Sequence, residues 1–252
     1  MIICKSEAEI ERMKEAGAIV ASCLRFAQRN MTVGLTTAEI DQHIEKIIRS
    51  GGAKPAFKGY RGYPASACIS VNEQVVHGIP GKRRLRAGDI VGIDVGAELR
   101  GYFGDAAATF AIGSLSSEGN TLLQVTRSAL YAGIEAARIG NRLGDVSNAI
   151  QRAGEGHGFS VVREFVGHGI GRSMHEEPQV PNFGDRGRGP VLEEGMVLAL
   201  EPMLNMGTYE VKVLRDGWTV VTADGKPSAH FEHTVAITAN GPRILTEWED
   251  VN

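Results

Sequence analysis

Two stretches of this chain share one order of residue types, and each ends in an acid. Leu85-Arg-Ala-Gly88-Asp-Ile-Val-Gly-Ile-Asp94 is matched 107 residues later by Leu192-Glu-Glu-Gly195-Met-Val-Leu-Ala-Leu-Glu201. In each stretch, glycine stands three positions after leucine, and an apolar run leads to the carboxylate. A carboxylate at the end of an apolar strand is costly to remove from water unless something pairs with it. A metal ion held between the two stretches is the simplest partner.

Each stretch also follows a histidine that has a proline three residues behind it. The two segments are His77-Gly-Ile-Pro80 and His175-Glu-Glu-Pro178. We expect both histidines to stay outside the metal ligands. Each is placed to donate a hydrogen bond to a substrate carbonyl, or to the negative charge that develops on it during reaction.

Five residues form the predicted metal set: Asp94, Asp105, His168, Glu201 and Glu232. Asp94 and Asp105 are expected to face each other in a hairpin that turns near Leu99 and Arg100, about 5 Å apart at Cβ. Like charges at that distance repel unless a cation bridges them. Four carboxylates and an imidazole suit borderline-to-hard divalent ions. Because four acids carry too much charge for one ion, we predict two ions, roughly 3.5–4 Å apart, sharing a water that becomes the nucleophile.

Other interpretations of these residues stay open. An Asp at a strand end is often a turn or edge residue, and His168 lies between glycines that suit a turn. Cys68 is more often a small buried apolar residue than a nucleophile. Four further side chains are either ordinary core or the wall of a small apolar pocket: Tyr60, Tyr63, Met174 and Trp218. His43 and His157 are expected on the surface, and His233 on the strand face opposite Glu232.

The elements around these residues repeat in the same order. Helices are predicted over about 6–28 and from Thr36 to Gly51-Gly52, each opened by a capping box, and again over about 117–138 and 145–155. Strands are predicted at 67–71, 90–95, about 102–112, 160–162, 192–201, 211–213, 218–221 and 230–237. Two helices followed by antiparallel strands, twice, predict one pseudo-symmetric α+β domain over 1–252. Its halves, about 1–113 and 114–252, would share a central antiparallel sheet with helices on its outer face.

Composition narrows the possible classes of protein. The chain has 252 residues, 42% hydrophobic and 23% charged, with a formal net charge of −3. This charge balance does not indicate a nucleic-acid surface, and no apolar run approaches the roughly 20 residues of a membrane helix. The three cysteines are far apart and the N-terminus leads straight into a charged stretch, so a reducing cytosol without a signal peptide is expected. The motifs of single-zinc helix proteases, serine hydrolases and P-loop proteins are missing from the sequence.

The sequence resembles the type I methionine aminopeptidases, which have the pita-bread metallohydrolase fold. The segments that carry the resemblance are Phe165–Asn182, Ser70–Glu73 with His77–Pro80, Gly88–Asp94, Gly104-Asp105, Glu201-Pro202 and Phe231–Thr234. The chain departs from the family pattern at Phe103, where histidine is common, and at Ala106, where a hydroxyl residue is usual. Both changes make the surroundings of the metal ligands less polar. Polar groups there tune the orientation of the ligands and the affinity for metal.

The resemblance implies a role for each predicted residue. Asp105 and Glu232 would bridge both ions, His77 would contact substrate and His175 would polarise the scissile carbonyl. Glu201 would also pass a proton to the leaving amine. The methionine pocket would use Tyr60, Tyr63, Cys68, His77, Met174 and Trp218. Cobalt, manganese, iron(II) and zinc all tolerate this ligand set.

The implied activity is removal of the initiator methionine from nascent proteins when the second residue is small. It implies a cytoplasmic monomer without a membrane partner or nucleic-acid sequence recognition, with the ribosome as a further candidate partner. Two rivals stay open: an Xaa-Pro dipeptidase, which usually carries an extra N-terminal domain, and a non-catalytic binding protein on the same fold.

Overall fold

The structure, a computed structural model, describes residues 1–248. Within this range the helices are α1 Glu7–Asn30, α2 Thr37–Ser50, α3 Ser117–Ala136 and α4 Leu143–Glu155. The capping boxes predicted for the first two helices are confirmed, since Glu9 and Glu39 accept hydrogen bonds from the backbone N–H of Ser6 and Thr36 at 3.0 and 2.8 Å. None of the described helices is long and apolar enough to cross a membrane.

The strands fall into two larger and two smaller antiparallel sheets. The strands are β1 Lys54–Pro55, β2 Ala67–Val71, β3 Gln74–Val76, β4 Ile90–Leu99, β5 Tyr102–Ala111, β6 Ser160–Val161, β7 Gly167–Gly169, β8 Glu176–Val180, β9 Val197–Leu200, β10 Met203–Asn205, β11 Val211–Val213, β12 Val220–Thr222, β13 Ser228–His230, β14 His233–Thr238 and β15 Gly241–Ile244. The first larger sheet has β4 at its centre, flanked by β2 and β5, and the second has the order β15-β14-β9-β7-β8.

The two larger sheets meet where β5 passes the residue before β14. Glu232 donates its backbone N–H to the carbonyl of Ala107 at 2.8 Å, and Ala107 donates to the carbonyl of Glu232 at 3.3 Å. Thr234 adds a side-chain link, since its hydroxyl donates to the Asp105 carbonyl at 2.8 Å. The sheets therefore act as one central antiparallel layer, with α1 packed on β4 and β5 and α3 on β9, β10 and β13. The predicted α+β pita-bread class is confirmed.

The duplicated stretches have the same backbone contacts. Gly34 donates to the Leu85 carbonyl at 2.8 Å, and Gly140 donates to the Leu192 carbonyl at 3.0 Å. At each repeated glycine the backbone is left-handed, with φ of +91° at Gly88 and +85° at Gly195. A left-handed backbone at this position favours glycine because a Cβ would be strained there. The sequence repeat is thus a repeat of backbone geometry.

Three strand predictions were wrong in detail. The β4–β5 hairpin turns at Arg100 and Gly101, both with positive φ, so Asp94 pairs with Ala107 and Asp105 with Gly96. The two acids are therefore diagonal neighbours on one face instead of directly opposed, because a two-residue turn of this kind sets the register. The strand predicted over 230–237 is broken at Phe231-Glu232, and the one predicted over 192–201 is regular only in β9.

Candidate metal centre

A cavity of about 210 Å³ opens between the two larger sheets. Its lining contains all twelve residues singled out from the sequence: Tyr60, Tyr63, Cys68, His77, Asp94, Asp105, His168, Met174, His175, Glu201, Trp218 and Glu232. Both halves of the chain contribute to it, and the acids lie together with His168 while the aromatic residues form the rest of the wall. The spatial convergence of these residues fits a reaction centre beside a binding pocket.

The first half supplies two acids from adjacent strands. Asp94 extends from β4 beside Cys68 of β2, and Asp105 extends from β5. Gly96, two residues after Asp94 and paired with Asp105, lies against Phe57 and Met174, and a Cβ there would approach Phe57 Cε1 to 2.6 Å. Glycine at this position therefore lets the apolar wall approach the acids closely.

The second half supplies two acids and an imidazole. Glu201 follows β9, Glu232 lies between β13 and β14, and His168 lies on β7 beside β9. His168 Nε2 is 3.7 Å from Glu201 Oε1 and 3.9 Å from Asp105 Oδ2. Ligand atoms of Asp105, His168 and Glu232 all lie within 4.8 Å of one another, which is the spacing of groups that can hold one ion.

The charges of the four carboxylates are not balanced by the protein around them. Burial, followed by the neighbouring carboxylates, raises the pKa of Asp105, Glu201 and Glu232 well above the usual range. Burial raises the pKa of Asp94 to about 7. Asp94 Oδ1, Asp105 Oδ1 and Glu232 Oε1 are buried and accept no hydrogen bond from any described residue. Divalent cations would neutralise the negative charge and coordinate the oxygens that lack hydrogen bonds, so these residues fit a metal site.

His168 is oriented as a neutral ligand. Its Nδ1 lies 2.8 Å from the carbonyl oxygen of Gly169, which can only accept, so we assign the ring hydrogen to Nδ1. Nε2 then directs its lone pair toward the carboxylates. Burial, and next the proximity of His175, lower the pKa of His168 to about 4, which keeps the ring uncharged near neutral pH. A ring whose other nitrogen is held by a carbonyl is the usual arrangement of a metal-binding histidine.

The two motif histidines flank the acids without joining them. His175 lies at the exposed mouth of the cavity, where its Nδ1 is 3.0 Å from the Tyr60 hydroxyl and its ring is 4.3 Å from that of His168. His77 has φ of +58° and places its ring edge-on to Phe165 and Trp218. Burial lowers the pKa of both histidines, to about 4 for His77, so each is a neutral hydrogen-bonding group.

The remaining wall is apolar. Tyr63, Ala65 and Cys68 form a buried cluster, with Phe57, Ile79 and Trp218 packed against it. The Tyr63 hydroxyl donates to the Gly78 carbonyl at 3.0 Å, so the ring is fixed in place. Burial, and next the charge of Asp94, raise the pKa of the Cys68 thiol well above its usual value. A thiol that resists ionisation is a poor nucleophile, which fits the interpretation of Cys68 as part of the wall.

Comparison with known proteins identifies the family. The model of metallopeptidase family M24 matches residues 11–239. The chain belongs to this family. It is 57% identical over 246 residues to a methionine aminopeptidase of Clostridium perfringens, which covers 98% of this chain and 99% of that relative, and 52% identical to methionine aminopeptidase 1 of Bacillus subtilis with the same coverage. The crystal structure of methionine aminopeptidase from Thermotoga maritima matches with a TM-score of 0.97 at 49% identity, over 98% of this chain and all of that one.

This M24 chain has one buried imidazole near the acids for which the sequence suggested no role. His230 is 4% exposed, and its Nε2 is 3.6 Å from Glu201 Oε2 with no hydrogen-bond partner among the described residues. The signal available in the sequence was its spacing, two residues before Glu232. Five further lining residues also lay outside the predicted set: Phe57, Arg61, Val76, Phe165 and Val166. His43 and His157 are exposed, as predicted. His233 contacts Thr246 and does not line the cavity that Glu232 lines, which agrees with its predicted place on the opposite face of the strand.

Proposed function

We propose that this chain is a methionine aminopeptidase that removes N-terminal methionine with two divalent ions held by Asp94, Asp105, His168, Glu201 and Glu232. The observation that carries the proposal is the cluster of four carboxylates and a neutral imidazole at one end of an apolar cavity. Membership of the M24 metallopeptidases and the named relatives support the same activity. Asp105 and Glu232, the two most buried acids of this set, would be the ligands most shielded from solvent.

Bound divalent ions would supply Lewis acidity, making a water acidic near neutral pH and drawing electrons from the scissile carbonyl. Glu201 is proposed to accept the proton of the attacking water and to pass it to the leaving amine. Its position supports this role, because its carboxylate faces His168 through one oxygen and is partly open to the cavity. Such a proton carrier needs to lie within hydrogen-bond reach of both reacting groups.

The two motif histidines are proposed to contact the substrate. His175, held at its Nδ1 by the Tyr60 hydroxyl, would donate to the oxygen of the scissile carbonyl as negative charge develops there. His77 would contact the substrate from the opposite wall, where Phe165 and Trp218 fix the plane of its ring. Either ring can donate only if the nitrogen that faces the substrate carries a hydrogen.

The apolar wall is proposed to select methionine. An unbranched thioether would lie against Tyr63, Cys68 and Trp218, with Met174 and Tyr60 closing the sides. One methylene in such a pocket is worth about 1–3 kcal/mol, so peptides that begin with a branched or shorter side chain should be poorer substrates.

We further propose that the substrates are nascent proteins whose second residue is small. We propose that the protein acts as a cytoplasmic monomer with the ribosome as a partner. Residues 1–252 would form a single catalytic domain with halves at about 1–113 and 114–252.

Reconstitution of metal-stripped protein tests the proposal. Protein dialysed against chelator should lose activity on a Met-Ala-Ser peptide and regain it with cobalt, manganese, iron(II) or zinc, while taking up two ions per chain by elemental analysis. An Ala-Pro dipeptide assayed in parallel should be a poor substrate. Preferential cleavage of Ala-Pro would indicate the dipeptidase alternative, and failure to bind any of the four ions would favour a non-catalytic binding protein.

A further inference from the structure

A buried ion pair joins the N-terminal segment to the turn that carries His175. Lys5 Nζ lies 2.6 Å from Glu176 Oε2, and the two side chains are only 4% and 9% exposed. Lys5 Nζ also donates to the Ile3 carbonyl at 2.8 Å. Buried lysines are rare unless paired, and this lysine pairs with an acid 171 residues away in the sequence.

Glu176 uses its other oxygen to hold the turn. Its Oε1 accepts the backbone N–H of Arg172 at 2.8 Å and of Ser173 at 3.1 Å. Met174 and His175 lie between these two amides and Glu176 itself. The orientation of one carboxylate thus determines the path of the segment that presents both cavity residues.

Lys5 also contacts the start of the strand that leads to Glu201. Its backbone N–H donates to the Gly195 carbonyl at 2.7 Å, and a Cβ on Gly195 would come within 2.5 Å of the Lys5 carbonyl oxygen. A Cβ on Gly171 would likewise approach Lys5 Cε to 2.5 Å and Glu176 Oε1 to 2.7 Å. Two glycines therefore make room for Lys5 at the two places where it contacts segments of the active centre.

Stability alone is a weak explanation for this arrangement. Replacing a buried ion pair by apolar residues of similar size is often neutral or stabilising, whereas removing one partner leaves an uncompensated buried charge. The orientation that the pair imposes is specific, however, because the lysine fixes one carboxylate oxygen while the turn amides use the other. An apolar pair could fill the space but could not hold those two amides.

We propose that Lys5 is a positioning residue for the peptidase reaction, acting through Glu176 to hold Met174 and His175 in place. The proposal rests on the proposed function, in which His175 contacts the scissile carbonyl. Displacement of a catalytic contact by a remote change can cost up to about 100-fold in rate. Lys5 itself touches neither substrate nor ligand in this scheme.

The test uses the full chain with Lys5→Met, which keeps an unbranched apolar stem and removes the ammonium group. On Met-Ala-Ser, kcat should fall about 10- to 100-fold while KM rises less and calorimetric Mn²⁺ affinity stays within about threefold. Adding Glu176→Gln, which retains an acceptor for the two amides and removes the unpaired charge, should restore most of kcat. In metal-free protein, the amides of Arg172 and Ser173 should exchange with deuterium faster in Lys5→Met and recover in the double variant.

Two controls separate positioning from stability. Ile150→Ala removes core volume from α4, which packs on α3 and β6, and should lower the melting temperature without changing kcat in the folded protein. Arg100→Met breaks the exposed Arg100–Glu15 pair and should change neither the melting temperature nor kcat.

The proposal is overturned if folded Lys5→Met keeps wild-type kcat, or if its loss of kcat is no larger than that of Ile150→Ala. It is also overturned if kcat of the double variant is no higher than that of Lys5→Met. Should Lys5→Met not fold, the double variant compared with Glu176→Gln alone makes the same test. If the wild-type protein does not cleave Met-Ala-Ser, the proposed function fails, and exchange at Arg172 and Ser173 still decides whether Lys5 holds the turn.

Discussion

The two halves of the molecule share a backbone frame and differ in what each places around it. In both, a left-handed glycine precedes a central strand that leads to an acid, Asp94 in one and Glu201 in the other. The first half returns at once through a two-residue turn, so its acids are 11 residues apart in the sequence. The second inserts β10 to β13 before its second acid, 31 residues later. The insertion adds Trp218 and His230 to the surroundings of the centre.

The clearest difference is at a single matched position. Ser70 pairs with Gly92 on β4, and His168 pairs with Ala199 on β9, 107 residues after Gly92. In the first half this position supports the neighbouring turn, since the Ser70 hydroxyl accepts the Gly78 N–H at 3.2 Å. In the second half it supplies the only predicted imidazole ligand. Duplication thus gives a symmetric set of acids, and divergence at this pair gives the centre its one nitrogen donor.

Removing one acid from each half in turn is the most severe test of whether the two halves contribute equally to the metal site. Asp105→Ala and Glu232→Ala should each abolish turnover of Met-Ala-Ser, because each removes a proposed metal ligand. The loss should exceed the roughly 10- to 100-fold that follows from changing an outer partner of a ligand. Rates and metal content are measured together, with the exposed Glu118→Ala as the control. An Asp105 variant that retained activity, beside an inactive Glu232 variant, would show that the halves do not contribute equally.

The matched histidines should separate in their kinetics. His175→Ala is expected to lower kcat about 10²- to 10³-fold, the usual cost of losing a donor to a developing oxyanion, with metal affinity nearly unchanged. His77→Ala should affect KM more than kcat, since that ring lies between Phe165 and Trp218 in the apolar wall. Steady-state kinetics and calorimetric metal titration distinguish the two. Loss of metal in the His175 variant would instead make His175 a ligand.

The shared cluster of acids should also be visible in the stability of metal-free protein. Folding raises the pKa of Asp105, Glu201 and Glu232, so between their unfolded and folded values the native state binds more protons than the unfolded chain. Stability must then fall as pH rises. The buried histidines have lowered pKa values and act in the opposite direction, but only below their unfolded value near 6.5.

The clean window is therefore pH 7 to 8, which lies above the histidine range and begins at the value of about 7 to which burial raises the pKa of Asp94. There the melting temperature of metal-free protein should decrease with pH, and Glu232→Ala should reduce the slope by removing one of the repelling charges. Saturating divalent ion should abolish the trend. A melting temperature that stayed flat or rose across this window without metal would contradict the assignment of raised pKa values to the acids.

The sequence could predict the acids and the fold because both repeat. A coincidence of Leu, Gly, apolar run and carboxylate is improbable twice, and the periodicity around it distinguished helices from strands. The hairpin register was not predictable in this way, since it depends on a positive φ at Arg100, a residue type with no such preference. The Lys5–Glu176 pair was also invisible, because nothing local relates residues 171 positions apart. His230 stands two residues before Glu232, but this spacing does not predict its burial beside Glu201.

The smallest predicted effect is at Ser70, the counterpart of His168. Ser70→Ala removes the hydroxyl that accepts the Gly78 N–H, and should lower the free energy of unfolding by about 0.5–1.5 kcal/mol while leaving metal content unchanged. His168→Ala, at the matched position, should lose metal instead. Denaturant unfolding and elemental analysis of both variants check the pair. Because Gly78 directly follows His77, a KM for Met-Ala-Ser that rose with the loss of the Ser70 hydroxyl would show that the first half uses this position to orient its histidine. Metal loss from the Ser70 variant would contradict the conclusion that, of these two matched positions, only His168 serves the metal site.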